Sequence, residues 1–130
     1  MDFSGGEPLL HPDFLKKDFR LLKYIKKHKN IRFSIHTNGI ELNKIIVDNI
    51  YKHFSRIGIS VNSLNFQTWN KITNLNGLFS EDCQLKKFNK MIKNIKYLGS
   101  KGIGHKVFIK SVVMRGINDS EEELRSILEF

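Results

Sequence analysis

Phe3-Ser4-Gly5-Gly6-Glu7-Pro8-Leu9-Leu10-His11-Pro12 sets two glycines, an acid and two prolines between an apolar start and a helical pattern. Paired glycines let main-chain amides and carbonyls approach a ligand, because no Cβ intervenes and positive φ is open to them. Pro8 removes a donor and directs the chain outward. A loop at the C-terminal end of a strand, in a chain that alternates strand and helix, is where open α/β sheets and barrels hold ligands. On the loop alone, a tight strand-to-helix turn without a ligand is an equal reading.

Outward from the loop, Met1 to Ser4 reads as the end of a strand. Asp13 to His28 has helical spacing through Leu15, Phe19, Leu22 and Ile25, with Pro12 and Asp13 suited to a first turn. Ile31 to Thr37 reads as a strand closed by Asn38-Gly39, and Leu42 to Phe54 as a helix through Ile46 and Ile50. Arg56 to Val61 is the next strand, followed by a short helix at Phe66 to Thr73 and a polar loop through Asn76-Gly77. A longer helix carries Leu85, Phe88, Ile92, Ile95 and Leu98 on one stripe, with Gly102 as its stop. Lys106 to Met114 reads as a strand, and Ser120 with Glu123 as a capping box for a terminal helix. Such alternation implies βαβ units, a parallel sheet and right-handed crossovers. The expected fold is α/β: one domain over 1–130, a partial parallel (β/α) TIM-like barrel of about four strands, truncated at both ends.

Parity along the strands sorts the two faces of the sheet. Phe33, Ile35, Ile57, Ile59 and Val61 form apolar rows that suit covering helices. Ser34, His36 and Asn38, with Gly58, Ser60 and Asn62, form small or polar rows assigned to the interior. A polar row inside a parallel sheet needs hydrogen-bonded neighbours or a ligand. Lys110, set among Val107, Phe108, Ile109, Val112 and Val113, either contacts an anionic substrate or reaches an edge or an acid. His36 is a substrate contact or a hydrogen-bonded interior histidine.

The formal charge of +9 on 130 residues would suit a polyanion. Aromatic residues are not interleaved with the charges as a base-stacking surface requires, however, and Lys86, Lys87, Lys90, Lys93, Lys96 and Lys101 fall on the outer side of one helical pattern, which reads as a solvated face. Nucleic acid is therefore not the expected partner. No apolar run is long enough to span a bilayer and nothing reads as a signal peptide, so no membrane is expected and the cytoplasm is the expected location. The single cysteine, Cys83, permits no internal disulfide and supplies no cluster by itself, so no metal ligand and no catalytic side chain is assigned among these residues.

Gly5-Gly6-Glu7-Pro8, then His36-Thr37-Asn38-Gly39, Ile59-Ser60-Val61-Asn62-Ser63-Leu64 and Val112-Val113-Met114-Arg115-Gly116-Ile117-Asn118-Asp119 resemble, in order and spacing, the radical S-adenosylmethionine superfamily. The nearest likeness is the branch containing MoaA and the SPASM-type enzymes. That resemblance implies two cofactors, S-adenosylmethionine and a [4Fe-4S] cluster, an electron donor, and a substrate that is a nucleotide, peptide or small metabolite. The family's Cys-x3-Cys-x2-Cys loop lies upstream of the Gly-Gly-Glu-Pro strand, so the resemblance implies a fragment without it, inactive alone. It places Gly5, Gly6, Glu7 and Pro8 around the methionine ammonium, Thr37 and Asn38 at the neighbouring strand end, and Ser60 and Asn62 near the carboxylate and ribose. The family often has Asp where this chain has Asn62. A ligand-binding barrel without radical chemistry is the alternative.

Overall fold

The computed structural model describes residues 1–15, 20–27 and 30–130. Four parallel strands, β1 (Asp2–Phe3), β2 (Ser34–Thr37), β3 (Arg56–Ser60) and β4 (Val107–Lys110), lie in the order of the sequence. Between them run α1 (Pro12–Leu15), α2 (Arg20–Lys27), α3 (Lys44–Ile50), α4 (Phe66–Thr73) and α5 (Glu81–Gly99), and α6 (Glu121–Glu129) follows β4.

Strand register decides which side chains share a face. Phe3, Ile35, Ile57 and Val107 are aligned across the sheet, as are Thr37, Ile59 and Ile109. This apolar side meets Ile46, Val47 and Ile50 of α3 and Phe88, Met91, Ile95 and Leu98 of α5 in one core. Each such side chain fully buried contributes about 1.5–3 kcal/mol. The opposite side aligns His36 with Gly58 and Phe108, and Ser60 with Lys110. The partial barrel expected from the strand pattern is observed, with the polar row on the side away from the helices.

Helix starts follow local chemistry. Asn43 caps α3, Asn65 caps α4, Ser80 caps α5 and Ser120 caps α6, each side chain accepting from an orphan N–H of the first turn. Asp13, read as a first-turn acid, instead receives the N–H groups of Arg20 and Leu21 and so serves the start of α2. The helix read over Asp13 to His28 contains α1 and α2; Phe19 and the side chains of Leu15, Leu22 and Ile25 lie outside the described residues.

Several expectations are corrected. The strand read from Ile31 begins at Ser34, because β1 offers no partner before Asp2, and Ile31 is exposed. The strand read to Met114 ends at Lys110: beyond it the Asn62 side chain accepts from Val112 N–H, and the Asn118 amide donates to the carbonyls of Asn62 and Val112. Those side-chain bonds replace the ladder, and Val112 and Val113 face outward. Leu85 is exposed; the buried stripe of α5 runs through Gln84, Phe88, Met91, Asn94, Ile95 and Leu98, with the Asn94 amide donating to the carbonyls of Gly39 and Ile40. The capping box is half made: Ser120 receives Glu123 N–H, but the Glu123 carboxylate accepts from the Ser63 hydroxyl instead of returning to the cap.

Lys101 is not a solvated helix-face lysine. It pairs with Asp48 and lies over the Tyr97 ring, and the Tyr97 hydroxyl donates to the same carboxylate. The Lys101 ammonium, with the Tyr97 hydroxyl, holds the Asp48 carboxyl below the usual carboxylate range, and Asp48 raises Lys101 above the ordinary lysine value. A lowered carboxyl contributes stability above its unfolded pKa and loses it as pH falls through the folded value; a raised lysine loses its share only above the ordinary lysine range. Both groups are part-exposed, so the effect is small. Asp48→Asn should leave stability at neutral pH nearly unchanged and shallow the acid limb of a melting-temperature profile below about pH 4.

Candidate cofactor pocket at the strand tips

The tips of β1, β2, β3 and β4 surround a concavity of about 310 Å3, lined by Asp2, Ser4, Gly5, Gly6, Glu7, His36, Thr37, Asn38, Ser60 and Lys110. Its near wall is the loop after β1. Gly5 has φ 93° and Gly6 φ 55°, a conformation that a side chain would strain, and an added Cβ at either meets nothing within 4 Å. The loop therefore presents bare main chain to open space. Glu7 closes it: one carboxylate oxygen accepts from Leu9 N–H (3.1 Å) and the Thr37 hydroxyl (2.7 Å), the other from Asn38 N–H (2.7 Å). The acid thus ties the glycine loop to the end of β2.

The remaining expected residues divide by parity. His36, Asn38, Ser60 and Lys110 reach the concavity from the polar side of the sheet. Thr37 belongs to the buried side at 3% exposure, and its hydroxyl both donates to Glu7 and receives Gly39 N–H. Pro8 lines a different, apolar hollow with Phe3, His11, Phe14 and Leu21, and begins a short 3-10 turn that Glu7 caps. Asn62 lies in an adjoining cavity, its side-chain oxygen occupied by Val112 N–H. Lys110 is corrected from a mid-strand cation among apolar neighbours: it is exposed at the last position of β4, beside Ser60. No acid lies within ion-pair reach of it among the described residues.

Sequence reasoning missed Asp2 and Phe108. His36 Nε2 stands 3.4 Å from the Asp2 carboxylate, which also accepts from the Ser34 hydroxyl at 2.7 Å. The imidazole meets Phe108 edge to face, with centroids 5.3 Å apart, and Arg56 covers the same ring. His36 is both a partnered interior histidine and a pocket wall. The alternation Asp2, Ser34 and His36 on adjoining strands was visible in the sequence, but register was needed to join them. Among the described residues no group of three or more His, Cys, Asp or Glu side chains is placed to hold a metal ion. No described helix is long and apolar enough to cross a membrane.

Four parallel strands alternating with helices define a partial α/β barrel, with the glycine loop and the polar residues at its strand tips. The chain belongs to the radical SAM superfamily, an enzyme superfamily whose sequence profile matches residues 1–128. It is 30% identical over 118 residues to a GTP 3′,8-cyclase of Synechocystis sp., covering 91% of this chain and 31% of that protein. It is 32% identical over 121 residues to one of Petrotoga mobilis, covering 92% of this chain and 33% of that protein. The chain spans about a third of the length of these relatives. The crystal structure of a domain of a pyruvate-formate lyase-activating enzyme from Bacteroides vulgatus superposes with TM-score 0.69 at 20% identity, covering 99% of this chain and 69% of that one, which establishes the shared fold.

Proposed function

We propose that the strand-tip concavity binds S-adenosylmethionine, and that residues 1–130 form the central part of the barrel of a radical SAM enzyme. The observation that carries the reading is Glu7 holding the Gly5-Gly6 main chain open beside Asn38 and Ser60. A methionine tail requires acceptors for its ammonium and donors for its carboxylate, and a ribose requires groups that do both. The loop carbonyls of Gly5 and Gly6 meet the first need. The Ser60 hydroxyl, which has no hydrogen-bond partner among the described residues, can both donate and accept, and the Asn38 amide, its oxygen taken by Ile40 N–H, adds a donor. Asn62 stands two residues beyond Ser60, past the end of β3, in the adjoining cavity. In this reading Glu7 and Thr37 position the loop rather than touch the ligand, and Pro8 sets its exit.

With a [4Fe-4S] cluster on a Cys-x3-Cys-x2-Cys segment and an electron donor, such a cofactor supplies a 5′-deoxyadenosyl radical for hydrogen abstraction. The part of this chain is to bind, orient and exclude water. Lys110, at the far wall and without an acid partner, is assigned to an anionic group of the substrate, and His36, held by Asp2, to a neighbouring contact. The curated relatives are named for action on GTP, which favours a nucleotide substrate over a peptide for this chain as well.

The testing experiment is calorimetric titration of S-adenosylmethionine into the wild type and Ser60→Ala. Because the Ser60 hydroxyl makes no intramolecular bond, the variant should keep its melting temperature and bind about five- to tenfold more weakly. Equal affinity in both proteins would remove the cofactor from this pocket. Lys110→Ala should leave cofactor affinity unchanged.

A further inference from the structure

A second cavity, of about 250 Å3, lies beyond Asn38 and Ser60, between the ends of β2 and β3 and the helices α4 and α5. We propose that it binds a planar oxo-heterocycle, a nucleobase of the uracil or guanine type with ring carbonyls and a ring N–H. The site is built on Gln84, which is 2% exposed, lines the cavity, and has one long bond, 3.5 Å, from its amide nitrogen to the Thr73 hydroxyl. Its carbonyl oxygen accepts nothing among the described residues. That oxygen is not sealed off from the cavity, so a ligand or water entering there can complete it. Trp69, 4% exposed, is a second wall, and its indole N–H has no acceptor among the described residues.

The other polar groups fix the chemistry of the occupant. The side-chain oxygens of Asn38 and Asn62 are taken by the N–H groups of Ile40 and Val112, so both amides offer only their N–H2 donors. Lys87 adds a cation at the mouth, 3.5 Å from the centre of the Phe79 ring. Donors therefore outnumber acceptors, and the complement is an edge rich in carbonyl oxygen with one N–H for the Gln84 oxygen. The aromatic walls favour a flat ring, and the volume, below the roughly 300–1,000 Å3 of clefts for drug-sized ligands, suits one ring system. Adenine, which has no carbonyl, is a poor complement. Asn38 borders both cavities, so the proposal rests on Gln84, Trp69, Asn62 and Lys87, none of which lines the strand-tip concavity.

Trp69 is the only tryptophan of the chain, so its emission and indole N–H resonance report directly on this cavity. Titration of the 130-residue chain with uridine should give saturable changes in both, with adenosine at least tenfold weaker. Gln84→Met keeps the length of the side chain and removes the amide; it should bind uridine at least tenfold more weakly. Non-saturating quenching by uridine, adenosine equal to uridine, or a folded Gln84→Met that binds as the wild type does, would each overturn the proposal. The comparison of uridine with adenosine needs no variant, so a misfolded Gln84→Met leaves the test intact.

Discussion

Glu7→Ala is expected to lower stability by about 2–4 kcal/mol and to abolish binding at the strand tips. Three donors converge on that carboxylate, and one of them, the Thr37 hydroxyl, is on a buried residue. Hydrogen bonds to a charged acceptor contribute about 1.5–3 kcal/mol each when the partner is left unsatisfied, and the two main-chain donors, being nearer solvent, lose less. Glu7→Gln separates the two oxygens. It can keep the bonds to Leu9 and Thr37 while turning an N–H2 group against Asn38 N–H, so about half of the alanine effect is expected. Urea denaturation measures the stability and calorimetry the binding. A change below about 0.5 kcal/mol for the alanine variant would show that the acid does not tie the loop to β2.

Gly58→Val should cost about 1–3 kcal/mol and disorganise the polar wall of the pocket. A Cβ at Gly58 would stand 2.6 Å from His36 Nδ1 and 2.7 Å from the tip of the Phe108 ring, closer than any real Cβ contact. Gly58 is buried in mid-strand, between those two residues in register, and its missing side chain is the space into which the edge-to-face pair fits. Relief must therefore come from moving His36 away from Asp2 or Phe108 away from Arg56. Phe108→Ala opens that space, so Gly58→Val in a Phe108→Ala background should cost less than it does alone, a coupling a double-mutant cycle reads. Additive effects would mean that the strand backbone, not the ring pair, absorbs the added bulk.

Both variants touch residues that the chain alone ranks differently. Glu7 stands out in the sequence as the acid of a glycine loop, where a direct contact with a ligand ammonium is the natural role. The tertiary structure uses both oxygens to fasten Asn38 and Thr37, thirty residues away, because the loop after β1 and the end of β2 are neighbours only once the sheet forms. Gly58 reads as one more small residue in a polar row. Its necessity depends on Phe108, fifty residues later, arriving beside it in register.

The sequence by itself determined the alternation of strand and helix, the parallel order and the division of β2 and β3 into an apolar and a polar side, because side-chain periodicity and capping residues act within a few positions. The short helix at Phe66 to Thr73 was legible to the residue. Where strands stop was decided by tertiary structure: a ladder continues only while its neighbour does, so β2 starts late for lack of a partner, and β4 ends where Asn62 and Asn118 take over its main chain. The same holds for the exposed Lys110, the Asp2 and His36 pair, and the unpartnered carbonyl of Gln84. Each is a relation between distant positions, and register and packing alone bring such positions within hydrogen-bond reach.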